Sequence, residues 1–152
     1  MDLSKHIEFF NPEHLHGKPV HIIGLGAIGS NIAETLARLG VEEMHLYDFD
    51  TVDSPNIANQ IYFPHQLTML KTDATAENLK RINPDIKLTL HEAGWSPNDN
   101  TLNGHIFLAV DSIEIRKEIL ETNKYNQNIV SISDYRMRLT DAQHYAAKWD
   151  DL

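Results

Sequence analysis

The chain has 152 residues, 41% of them hydrophobic, enough to supply one packed core of ordinary domain size. A formal charge of −9 excludes a mainly electrostatic nucleic-acid binder, because neutralising phosphates needs clustered Lys and Arg and the 13 present are spread thinly. The absence of cysteine excludes disulfides, thiolate metal sites and any thioester formed by this chain itself.

In chain order, "PVHIIGL" reads as a strand buried on both faces, since its apolar run is nearly continuous. A helix is predicted from Ala27 to Leu39, with Ile28, Ile32, Leu36 and Leu39 at helical spacing and Gly40 where a C-terminal cap belongs. "EEMHLYDFD" reads as a second strand, and residues 51–65 as an irregular stretch. A polar helix follows from Leu70 to Ile82 and stops before "NPD", because the residue preceding a proline avoids helix. Strand "IKLTLH", strand "HIFLAV", a helix near "SIEIRKEILETN" and strand "NIVSIS" complete the alternation, and "DAQHYAAKWDD" reads as a last helix or a frayed tail. With no repeat or Pro/Gly/Ser-rich linker, residues 1–152 are expected to form a single α/β domain. Its fold class is Rossmann-like, with a mostly parallel sheet and helices on both faces. No apolar run is long enough to span a membrane and "MDLSKHIEFF" lacks the order of a secretory signal, so a cytoplasmic chain with no membrane or nucleic-acid partner is expected. The nine histidines show no metal-ligand spacing; His14 and His16 come nearest, and a surface loop accounts for them.

Gly24, Gly26 and Gly29 form G-x-G-x-x-G after a strand and at the start of a helix. The first glycine permits the tight turn, the second lets backbone approach a phosphate, and the third lets helix and strand pack closely. The helix N-terminus offers unpaired N–H groups to negative charge, so a nucleotide is the natural ligand. Asp48, at the end of the next strand, is placed to accept hydrogen bonds from ribose hydroxyls.

The following "YDFDTVDSPNIANQIYF" separates this chain from a simple dinucleotide fold. Asp48, Asp50, Val52, Asn56 and Gln60 resemble the D-x-D-x-V-x-x-x-N-x-x-R-Q signature of the ubiquitin-activating-enzyme-like superfamily, whose bacterial members are the ThiF, MoeB and HesA adenylyltransferases. Lys71 ahead of "RINP", and Asp111 followed by Arg116 in "VDSIEIR", extend the resemblance over residues 17–138. The resemblance implies an ATP-dependent adenylyltransferase, in which the C-terminal carboxylate of a ubiquitin-like protein or peptide attacks the α-phosphate of ATP to give an acyl adenylate. ATP and Mg²⁺ are the implied cofactors. By the same resemblance Gly24, Gly26 and Gly29 line the phosphates, Asp48 holds ribose, Asn56 and Lys71 reach the phosphate chain, and Asp111 holds magnesium. Asp50 and Gln60 shape the loop as well as touching ligand, and Asp111, Lys71 and Asn56 are the catalytic candidates.

The chain departs from the signature at Asn59, which stands where the family has arginine. Compact bacterial members also receive an arginine from the N-terminal region of a partner subunit; here only Lys5 and Lys18 precede the glycine turn as substitutes, and lysine lacks the planar fork of arginine. Loss of such a cation costs on the order of a thousandfold in rate in other phosphoryl-transfer systems. Three readings therefore stand side by side: the adenylyltransferase, a nucleotide-binding scaffold or regulatory module without turnover, and an NAD-dependent oxidoreductase. Lys71 and Asp111 speak against the third. Family members continue past "VSISDYRMRLTDAQHY" into further strands, a substrate-crossing loop and often a C-x-x-C zinc pair, so an incomplete groove and association as a homodimer or with a partner subunit are expected.

Overall fold

The structure, a computed structural model, describes residues 1–98, 102–137 and 140–149. Strand β1 (Val20–Ile23) is buried along its whole length, as its unbroken apolar run requires. The next strands are β2 (Glu43–Tyr47), β3 (Lys87–His91), β4 (Gly104–Leu108), β5 (Ile129–Met137) and β6 (Ala142–Lys148), and the order across the sheet is β3-β2-β1-β4-β5-β6. The first five are parallel, and β6 returns antiparallel to β5.

Alternation along the strands sorts side chains onto two faces. Val20 and Ile22 of β1, with Met44 and Leu46 of β2, meet Ala33 and Ala37 of α1 (Ala27–Arg38) and Leu79 of α2 (Lys71–Ile82). The small residues of α1 let its backbone lie close to the sheet. On the other face Ile23, Tyr47, Ile106, Leu108 and Ile132 pack with Ile119 of α3 (Ile113–Thr122). The expected α/β architecture with helices on both faces is thus observed.

Helix ends follow local chemistry. Gly26 caps α1 at its start, and Gly40 closes it with φ +87°. Ser112 accepts a hydrogen bond from the Ile115 N–H to cap α3, and α2 ends at Asn83, just ahead of Pro84. The irregular stretch contains 3₁₀ turns at Ser54–Ala58 and Pro64–Gln66 and is pinned by a bridge between Thr51 and Leu70.

Two expectations need correction. Strand β2 ends at Tyr47, so Asp48 to Asp50 belong to the loop beyond it. The segment read as a last helix or frayed tail is strand β6 from Ala142 to Lys148; Asp150 and Asp151 lie outside the described residues. Its residues are mostly exposed, and β6 forms one open edge of the sheet. No helix among the described residues is long and apolar enough to cross a membrane.

Candidate functional site

In a doubly wound sheet a crevice opens where neighbouring strands send their connections to opposite faces, at the carboxyl ends of the strands. Here that point lies between β1 and β4. The glycine turn sits there. Gly24 follows β1 with φ +96°, and a Cβ on it would stand 2.8 Å from the carbonyl carbon and oxygen of Ala109 and 2.9 Å from the Val110 nitrogen. A Cβ on Gly29 would fall 1.8 Å from the Gly24 oxygen. Gly26 differs, since a Cβ there would meet nothing within 4 Å. Two glycines are therefore demanded by packing, and the middle one leaves the N-terminus of α1 open.

Asp48 fastens this turn to β2. Its Oδ2 accepts from the Leu25 N–H at 2.7 Å, and its Oδ1 accepts from the Asp50 N–H at 2.8 Å. Burial raises its pKa above the usual aspartate value, against the opposing pull of those two backbone donors and the Lys71 charge. Each carboxylate oxygen can accept a second bond, so Asp48 retains capacity for a ligand hydroxyl. On its other side Leu25 is held by Tyr62, whose hydroxyl donates to the Leu25 oxygen at 2.7 Å. Sequence reasoning missed Tyr62. Tyr62 lies in the apolar run 61–63 of the irregular stretch, and nothing local marks its hydroxyl as a partner of the glycine turn.

The remaining candidates fall into two groups. Lys71 begins α2, is nearly buried, and pairs through Nζ with Asp50 Oδ2 at 3.0 Å while its backbone N–H donates to the Asp50 oxygen at 2.9 Å. Asn56 sits in the first 3₁₀ turn, where its Oδ1 accepts from the Asp53 N–H at 2.8 Å and its Nδ2 has no partner among the described residues. Gln60 lies one turn further, its buried Oε1 without a hydrogen-bond partner. Asn59 ends that turn, exposed and uncharged.

Asp111 stands just past β4 with an exposed side chain, next to the Val110 that faces Gly24. The structure thus gathers Gly24, Gly26, Gly29, Asp48 and Asp111 along one rim, with Asp50 and Lys71 joined at its β2 side. Lys5 and Lys18 do not reach it within one chain. Lys18 precedes β1 and packs its Cβ near Gly104, the first residue of β4, while Leu3, two residues before Lys5, covers Gly40 ahead of β2. Both lysines therefore lie toward the opposite end of the sheet.

A second cluster centres on Arg116, which the sequence marked only as part of the family pattern, without its partners. Arg116 of α3 donates to the backbone oxygens of Leu108 at 3.2 Å and Tyr135 at 2.7 Å, to that of Val110, and to Asp134 Oδ1. This one buried guanidinium ties the ends of β4 and β5 together. Burial lowers its pKa from the ordinary arginine value. Arg136 of β5 grips the other oxygen of Asp134 through Nε at 2.9 Å and Nη2 at 2.6 Å.

The comparisons with known proteins fit this geometry. Ubiquitin-like modifier-activating enzyme 5 of Oryza sativa subsp. japonica is 38% identical over 94 residues, which is 62% of this chain and 21% of the relative. The chain thus spans about a fifth of that relative's length. The E. coli tRNA N6-threonylcarbamoyladenosine dehydratase TcdA in complex with ATP has the same fold, with a TM-score of 0.77 and 21% identity over 87% of this chain and 57% of that one. E. coli MccB with AMPCPP and MccA gives a TM-score of 0.71 and 19% identity over 82% of this chain and 38% of that one. The ThiF family profile matches residues 6–136, which together with the glycine turn at the β1/β4 crevice establishes that the chain belongs to the ThiF family.

Proposed function

We propose that the chain is a single ThiF-like domain that binds ATP at the β1/β4 crevice and adenylates the C-terminal carboxylate of a ubiquitin-like protein or peptide. The observation that carries this reading is the space at Gly26, open to 4 Å between two glycines whose Cβ positions are blocked by backbone. Gly26 also caps α1, and its bare position leaves the helix N-terminus open to a phosphate. Support comes also from the ATP complex of TcdA and from MccB held with AMPCPP and MccA, two proteins of the same fold.

In this reading the substrate carboxylate oxygen attacks the α-phosphorus, the bond to the bridging oxygen of the β-phosphate breaks, and pyrophosphate leaves with that electron pair. Backbone N–H groups at the start of α1 face the phosphates, and Asn56 Nδ2 and Lys71 add donors, Lys71 after exchanging its bond to Asp50. Asp48 accepts from ribose hydroxyls. Asp50 and Gln60 hold the loop and line its inner side. Among the described residues no group of three His, Asp or Glu side chains could hold a metal alone. Mg²⁺ nevertheless fits, because it is held by one or two carboxylates together with the phosphate oxygens of a substrate, and Asp111 presents an exposed carboxylate on the rim. When bound, it neutralises phosphate charge. Association with a second copy or a partner subunit is part of this reading, and a cytoplasmic location accords with ATP as substrate.

Asn59 favours a second reading, a module that binds nucleotide without turnover, because no charge stands where the signature arginine would. Pyrophosphate exchange with candidate carboxylate partners, run beside ATP and NAD binding, separates the two. The first reading expects magnesium-dependent ATP binding, tighter than NAD, and exchange that depends on a free carboxylate. ATP binding without exchange against the physiological partner supports the module. Tighter binding of NAD removes the assignment.

A further inference from the structure

The chemistry above brings one anion, the substrate carboxylate, against another, the triphosphate. A cation is needed beside the incoming carboxylate. Asn59 supplies no charge, Lys71 is engaged by Asp50, and Lys5 and Lys18 lie toward the far end of the sheet within one chain. Of the other described arginines, Arg38 and Arg81 occupy the last turns of α1 and α2 and so stand at the amino ends of the strands. Arg116 is buried with its donors committed to backbone oxygens and Asp134.

Arg136 is different. Strand β5 runs past the end of β4: Leu108, the last residue of β4, pairs with Asp134, and Arg136 lies two residues further on, at the level of Val110 at the start of the loop that carries Asp111. Its side chain is 41% exposed, whereas Asp134 is 9% exposed. The carboxylate of Asp134 is divided, one oxygen to Arg116 and the other to Arg136. Two guanidinium groups share the single buried carboxylate of Asp134, Asp111 adds an attractive charge near Arg116, and the guanidinium charge of Arg136 is the more exposed of the two. Packing holds that charge in place, since Arg136 also lies over the ring of Tyr145, 5.3 Å from its centroid, and Tyr145 is the cross-strand neighbour of Asp134. Nε and one hydrogen of Nη2 are used by Asp134, while Nη1 has no partner among the described residues. The free edge formed by Nη1 and Nη2 presents two parallel N–H groups, the geometry that suits a carboxylate.

We infer that Arg136, braced by Asp134 and Tyr145, binds the carboxylate of the protein or peptide substrate next to the adenylation site, in the place of the cation that Asn59 does not provide. The inference rests on the adenylation reading and deepens it by naming the residue that receives the carboxylate.

The test uses the full chain with α,β-methylene ATP and Mg²⁺ and compares binding of N-acetylglycylglycine with that of its C-terminal amide. Glycine has no side chain, so the pair differs in the terminal group alone. The native protein is expected to prefer the carboxylate by tenfold or more. Arg136→Gln is expected to bring that preference within twofold while nucleotide affinity changes less than twofold, and Arg136→Lys to restore part of it. The melting temperature, and nucleotide binding by each variant, establish that the variants are folded. Nucleotide binding without carboxylate preference in the native protein overturns this inference alone, as does a preference that survives Arg136→Gln. A parallel loss of nucleotide and carboxylate affinity in Arg136→Gln also overturns it, by assigning Arg136 to the phosphates. Failure of the native protein to bind nucleotide at all overturns the adenylation reading and this inference with it.

Discussion

Gly26 and Gly29 lie three residues apart in one turn and answer to different demands. Gly29 is excluded from carrying any side chain by the Gly24 oxygen 1.8 Å from its would-be Cβ. Gly29→Ala must push α1 away from β1, and overpacking of this kind costs about 1–3 kcal/mol or more. Gly26 has φ −74°, which alanine adopts freely, and open space around it. Gly26→Ala should therefore leave stability within about 1 kcal/mol, a weaker cap being offset by a less flexible unfolded chain. Its methyl group would instead obstruct the approach of a phosphate, lowering ATP affinity at least about tenfold on the close-approach role of the second glycine. Urea denaturation beside ATP titration reads both variants. Unchanged ATP affinity in a folded Gly26→Ala protein would mean the bare position does not face a ligand. At this scale the sequence is informative about which residues matter and silent about their partners. Asp48 was singled out in the sequence by its place at the end of the strand after the glycine turn, but its bond to the Leu25 N–H depends on β2 lying beside β1.

Among the elements, the junction of α3, β4 and β5 depends most on a single side chain. Arg116 is 6% exposed and Asp134 9% exposed, so truncating the arginine leaves a buried carboxylate half-paired and removes a donor from three backbone oxygens. Removing one partner of a buried ion pair typically costs about 3–5 kcal/mol. Arg116→Leu should lose about that much in denaturant unfolding, and Arg116→Lys should recover little, because one ammonium cannot span four acceptors in two directions. A loss under about 1 kcal/mol would show that the strand ends hold themselves. Arg116 was visible in the sequence only as part of a family pattern, since its acceptors come from β4 and β5. Strand β6 was missed for a related reason. Its Ala, Gln and Lys favour helix and its faces show no alternation, because nearly every residue is exposed. Pairing with β5, from Ser131↔Lys148 to Met137↔Ala142, decides its conformation. The helices, by contrast, were legible almost to the residue, since spacing, Gly40 and Pro84 mark them locally.

Across the whole molecule, register builds an acid-sensitive core that no local spacing announces. His21 of β1 stands opposite His45 of β2, with ring centroids 4.3 Å apart, and Tyr47 stands opposite His91 of β3 at 3.9 Å. His21 Nε2 lies 3.0 Å from Asn103 Oδ1, which can only accept, so Nε2 carries the proton and Nδ1 accepts from the Tyr47 hydroxyl at 3.0 Å. Burial, with smaller repulsion from His45 and His91, holds the His21 pKa at about 4, below its ordinary 6.5. His45 is lowered in the same direction, although Glu43 opposes its desolvation. The unfolded chain therefore takes up these protons first. The stabilisation is present in full above pH 6.5 and is lost as pH falls toward 4, amounting to about 3 kcal/mol for His21 by the size of its shift. Acid also reduces the formal charge of −9 and so relieves surface repulsion, but exposed charges are screened over about 8 Å whereas His21 is fully buried. The buried term should win. Urea unfolding at pH 7 and pH 4.5 should show a marked loss in the native protein and a smaller one in His21→Gln, whose amide cannot take up a proton. An equal loss in both proteins would place the acid sensitivity in the carboxylates instead, and would leave the stacked histidines as packing alone.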